Sequence, residues 1–119
     1  MARLLVDLNL EEAKPFLNPP YCGFLTLYGL AVVRWNISLN DAAQGFLWMW
    51  AENKVLCAMK LIPLGQTDGQ KILSAVIETI SRVVNQGLDL SDEDIGYTAP
   101  GQGIASALHE TQYTRLFRS

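Results

Sequence analysis

Apolar residues recur three and four positions apart along most of this chain, which is the spacing of one face of a helix. The pattern is clearest over residues 66–86, where an apolar stripe lies opposite polar positions. This segment is therefore predicted to be an amphipathic helix, with Gly87 as its C-cap. The stripe consists of Ile72, Leu73, Val76, Ile77, Ile80, Val83 and Val84.

Other segments carry the same signal. Residues 2–10 are predicted to be the end of a helix, residues 21–35 and 41–61 are predicted to be apolar helices, and a last helix is expected to begin at Pro100. No alternation of period two is long enough to predict a sheet. The predicted fold is all-α, a helical bundle of about four to five helices that forms a single domain over residues 1–119.

Local signals refine these helices. Prolines make residues 14–20 a predicted linker. Gly23 and Gly29 are expected to let another helix approach closely, and their helix is expected to be central in the bundle. Ser38 or Asn40 is expected to cap the helix over residues 41–61.

The tryptophans and cysteines are interpreted first as structural residues. Trp35, Trp48 and Trp50 are expected in the core, although one of them could instead anchor an interface. Cys22 and Cys57 lie in apolar surroundings and are expected to be buried free thiols. Two cysteines do not form a disulfide framework, so a reducing, cytoplasmic compartment is expected.

Composition narrows the function. Hydrophobic residues make up 50% of the chain and charged residues only 18%, which predicts apolar surface that a partner covers. The net charge of −3 argues against nucleic-acid binding. Prolines interrupt the uncharged stretch 15–33, so no membrane span is expected. The acidic segment 88–99 is interpreted as a solvated turn.

Most signals for catalysis fail. The sequence from His109 begins like a zinc-protease motif, but Tyr113 stands where the second histidine is required. Because His109 is the only histidine and the chain has only two cysteines, no nickel or other metal site and no cofactor is predicted within the chain. Ser106 lies one helical turn before His109, which leaves a small hydrolase as an alternative.

The last eleven residues form the candidate site. This segment is too short to fold alone and becomes ordered only by docking onto this chain or onto a partner. Its arginines offer planar groups for bidentate bonds to carboxylates, and its rings could share a helical face. The predicted partner-binding residues here are His109, Glu110, Tyr113, Arg115, Leu116, Phe117 and Arg118.

Three blocks of sequence carry a family resemblance. AENKVLCAMKLIPLGQTDGQ (51–70), DEDIG (92–96) and IASALHETQYTRLFRS (104–119) resemble the C-terminal half of the urease accessory protein UreF family. The last block is the most specific of the three. The N-terminal half of the family pattern, with its Gly-rich segment, has no counterpart in this chain, so helices that pack on that half are expected to expose apolar stripes.

The resemblance implies an all-helical, cytoplasmic protein that is not an enzyme. It implies binding to a UreD-type (also called UreH-type) accessory protein and to a UreG-type GTPase, in a complex that docks on apo-urease and delivers nickel. By the same resemblance, residues 109–119 would pack near the UreD-type partner, and Lys60 would face the GTPase. The alternatives are the hydrolase with Ser106 and His109, and a stand-alone helical module that forms a homodimer.

Overall fold

The computed structural model describes residues 1–18, 22–96 and 99–113. Their regular elements are all helical, which confirms the all-α prediction. The α-helices are α1 (Ala2–Asp7), α2 (Phe24–Arg34), α3 (Leu39–Leu61), α4 (Gln66–Leu88) and α5 (Pro100–Glu110), and short 3-10 helices span Glu11–Phe16 and Asp92–Asp94.

The residue contacts divide the chain into two compact units, Met1–Gly45 and Phe46–Ser119. The boundary falls within α3, which continues as one helix from the first unit into the second. The expectation of a single domain over residues 1–119 stays a prediction.

The first unit has a small apolar core. Leu5 is 1% exposed, and apolar side chains from α1, the first 3-10 helix and α2 surround it. Burial of each leucine contributes roughly 1.5–3 kcal/mol, so this cluster holds α1 against α2. The cluster consists of Leu5, Leu10, Ala13, Leu27 and Ala31.

The helices α1 and α2 end in the same way, on an asparagine with a left-handed backbone. Asn9 has a φ of 66° and Asn36 a φ of 53°. After α1, the Asn9 N–H donates to the Val6 carbonyl at 2.9 Å and the Leu10 N–H donates to the Leu5 carbonyl at 2.9 Å. This pair of bonds is a Schellman motif, in which asparagine replaces the usual glycine.

The same pair of bonds closes α2. The Asn36 N–H donates to the Val33 carbonyl at 3.2 Å, and the Ile37 N–H donates to the Val32 carbonyl at 2.9 Å. Each motif satisfies carbonyls that a helix end would otherwise leave without donors.

The predicted boundaries of the first two segments need correction. α1 ends at Asp7 instead of reaching residue 10, because the Asn9 motif turns the chain. Glu11–Phe16 is a 3-10 helix, so the predicted linker over residues 14–20 is wrong for its first three residues. Proline has no backbone N–H, and in so short a 3-10 helix its presence removes at most one backbone hydrogen bond, so Pro15 is tolerated there.

α2 differs from its predicted central position. It buries Leu27 and Ala31, but Leu25 and Val33 on its other sides are exposed. The helix therefore packs through only one face, although its own apolar side chains lie on all sides of it.

The glycines of this segment also differ from expectation. A Cβ at Gly29 would meet no atom within 4 Å, and a Cβ at Gly23 would meet only the Thr26 hydroxyl at 3.8 Å. Neither glycine permits a close helix contact among the described residues, so that prediction is wrong. Gly23 instead precedes the first residue of α2.

Side-chain hydrogen bonds fix the start of α3. The Asp41 N–H donates to Ser38 Oγ at 3.1 Å, and Ser38 Oγ donates to Asp41 Oδ2 at 2.6 Å. Ser38 is thus the cap, as one of the two predicted alternatives. Within the same unit, Tyr28 Oη donates to the Ala42 carbonyl at 2.7 Å and joins α2 to α3.

In the second unit, α3 and α4 meet at a close contact. A Cβ on Gly69 would lie 2.5 Å from Met59 Sδ, so only glycine admits this approach without a shift of the methionine. α4 buries Gly69, Leu73, Ile80 and Val84 along one stripe, and this stripe contacts α3 at Gly69.

The C-cap predicted for α4 is wrong. Gly87 lies inside the helix, which continues to Leu88. Asp89 follows with a right-handed backbone (φ −87°), so this end requires no left-handed residue and hence no glycine.

Candidate interaction site

The first part of the predicted site lies at the end of α5. His109 and Glu110 occupy its last two positions, and Tyr113 stands three residues beyond, fully exposed. The Gln112 N–H donates to the His109 carbonyl at 3.2 Å, and Thr111 Oγ1 donates to the Leu108 carbonyl at 3.2 Å. These bonds close the helix and present the three residues to solvent.

Arg115, Leu116, Phe117 and Arg118 lie outside the described residues. Their assignment to a partner interface stays a prediction. Lys60 lies in a different element, in the last turn of α3, where a cation interacts favourably with the negative end of the helix dipole.

α5 itself carries an open apolar face. Pro100 occupies its first position, and the Gln102 and Gly103 N–H groups donate to the Ala99 carbonyl at 2.9 and 3.1 Å. The face includes Ile104 and Leu108, four residues apart, and no residue of this helix is buried. The predicted start of α5 at Pro100 is confirmed.

A second open apolar surface lies on α3. We define the outer face of α3 as Met49, Trp50, Leu56 and Leu61, all of them exposed large apolar residues. The Lys54 ammonium lies 5.5 Å from the centre of the Trp50 ring, a cation–π contact that leaves half of the tryptophan exposed. The sequence analysis predicted an apolar helix over residues 41–61 but did not indicate which of its sides would be exposed.

The tryptophans correct the expectation that they belong to the core. Trp35 and Trp50 are exposed, and Trp48 is half-buried. An exposed indole on an apolar face fits the alternative interpretation of an interface anchor, which stays a prediction.

The thiols are free, as expected, but neither is fully buried. Cys22 and Cys57 are both half-buried. Cys57 Sγ lies 3.7 Å from Asn53 Oδ1 as a weak donor, on the solvent side of α3. Cys22 packs at the margin of the Leu5 cluster and is therefore only partly covered.

The acidic segment is exposed throughout its described part, as a solvated turn would be. Ser91 Oγ donates to Asp94 Oδ2 at 2.8 Å, and Asp92–Asp94 forms a 3-10 turn. Among the described residues, no group of three or more His, Cys, Asp or Glu side chains could hold a metal ion. In the same part of the chain, none of the helices is long and apolar enough to cross a membrane.

The alternative hydrolase pair gains no support from its surroundings. Ser106 and His109 lie on the exposed α5 helix, three residues apart. A nucleophile and its base need a third group to orient the base and donors for an oxyanion. Along the described chain, no hydrogen bond is found between these two side chains or from His109 to an orienting carboxylate.

The described residues define an all-helical protein whose distinctive surfaces are apolar helix faces open to solvent. Comparison with known proteins is more specific. The family model for UreF matches residues 1–77, and the chain belongs to the UreF family. The resemblance of the sequence is thereby confirmed, while its assignment to the C-terminal half stays a prediction.

Individual relatives also carry the name of this family. The chain is 54% identical over its whole length to "Urease accessory protein UreF" of Alkalilimnicola ehrlichii and covers 52% of that protein. It is 44% identical over its whole length to the protein of the same name from Hahella chejuensis, of which it covers 53%. "Urease accessory protein UreF 2" of Brucella anthropi is 42% identical over 98% of the chain, which covers 51% of that relative.

The chain thus spans about half the length of the curated relatives it matches. No solved structure is a significant match.

Proposed function

We propose that this chain is a non-catalytic adaptor in nickel-dependent urease maturation. It bridges a UreD/UreH-type accessory protein and a UreG-type GTPase in the cytoplasm, and the complex acts on apo-urease. Membership of the UreF family and the printed names of the relatives support this proposal. Nickel is the cargo of the complex, and no residue of this chain is proposed to hold it.

The single observation that carries the adaptor role is the exposure of α5 and of residues 111–113 after it. Tyr113 has its whole ring in solvent, and Ile104 and Leu108 present an uncovered apolar stripe. Exposed aromatic and aliphatic groups beside charged ones are the composition of protein-binding surfaces. Residues 109–119 are therefore proposed to contact the UreD/UreH-type protein, and Lys60 is proposed to contact the GTPase.

The first experiment deletes residues 113–119 and measures co-purification with a UreD/UreH-type protein. We expect the complex to be lost while the helical circular dichroism signal stays, because the deletion removes no residue of α1–α5. Retained co-purification would contradict the proposed role of the tail.

A finer version replaces Arg115 and Arg118 together by alanine. Binding measured by calorimetry should weaken by roughly 2–5 kcal/mol if both guanidinium groups are desolvated on carboxylates. Arg82→Ala, an exposed arginine on α4, is the matched control and should leave the affinity unchanged.

A further inference from the structure

We draw no further inference here: the strongest candidate, the exposed apolar side chains of Val33, Trp35 and Leu39 around the turn between α2 and α3, carries none because nothing in the structure shows what covers them.

Discussion

A single glycine decides how closely α3 and α4 approach at Met59. Alanine at position 69 would gain about 1 kcal/mol of helix propensity, but its Cβ would lie 2.5 Å from Met59 Sδ. In the native sequence, the gain in helix propensity is opposed by the clash with Met59. When Met59 is replaced by alanine, the clash is removed and only the gain in helix propensity remains.

We therefore expect a positive coupling between Gly69→Ala and Met59→Ala. In the Met59→Ala background, Gly69→Ala should raise the free energy of unfolding by about 1 kcal/mol, and in the native background it should give little or no gain. Urea unfolding of the four proteins in the cycle measures this coupling. An identical effect of Gly69→Ala in both backgrounds would show that the contact is immaterial.

The role of an individual residue was predictable from the sequence only where that residue type has few structural roles, as at helix caps. Ser38 was one of two predicted caps because its hydroxyl can accept from the first turn of the helix that follows. The Gly69 contact was not predictable, because it depends on which side chain the neighbouring helix brings to that position. Tyr28 was recognised as a helical residue, but its bond to the Ala42 carbonyl depends on the angle between two helices.

At the scale of elements, the joint between α2 and α3 depends on that tyrosine. Its hydroxyl donates to the Ala42 carbonyl at 2.7 Å in a partly buried setting. The acceptor lies in the first turn of α3, so the bond ties the start of one helix to the side of the other.

Tyr28→Phe should lower the free energy of unfolding by about 1 kcal/mol, the net contribution of one such hydrogen bond. Tyr113→Phe is the control, since that hydroxyl is fully exposed and its loss should have no measurable effect. Thermal or urea denaturation of the two variants distinguishes them. Equal stabilities would contradict the structural role of the Tyr28 bond.

Helix ends were harder to predict than helices. The starts of α4 at Gln66 and of α5 at Pro100 agree with the sequence pattern, because Gly65 and Pro100 mark them. The end predicted at Gly87 is wrong, since a helix can stop on a right-handed residue such as Asp89. Apolar periodicity identifies where a helix can exist, but the last turn depends on local hydrogen bonds.

At the scale of the whole molecule, two leucines in similar helices differ greatly in burial. Leu73 on α4 is 4% exposed, whereas Leu108 on α5 is 67% exposed. Both belong to apolar stripes in amphipathic helices, so the sequence alone gives them the same expected burial. The structure separates them because α5 buries none of its side chains.

Leu73→Ala should lower the free energy of unfolding by about 2–5 kcal/mol. Leu108→Ala should change it by less than about 0.5 kcal/mol, as for other exposed positions. The contrast can be measured by urea unfolding of this chain alone. A loss of comparable size for Leu108→Ala would mean that α5 packs against an apolar surface in solution.

The assignment of residues 109–119 to a partner interface stays a prediction, and the structure describes only the first part of this segment. His109, Glu110 and Tyr113 lie exposed at the end of α5, as a docking segment requires. Exposed apolar stripes were expected from the sequence, but which helices carry them was not predictable, because a stripe has the same pattern whether or not another segment covers it. Exposure of Trp50 and Leu61 became visible only with the helices in place.

The left-handed asparagines after α1 and α2 constrain how this fold can evolve. A side chain with a branched β-carbon clashes with its own backbone at φ values of 66° and 53°, whereas glycine and asparagine accept them. Across homologous sequences, positions 9 and 36 should therefore drift mainly among asparagine, glycine and aspartate. Valine, isoleucine and threonine should be rare at both, even where the surrounding helices have diverged widely.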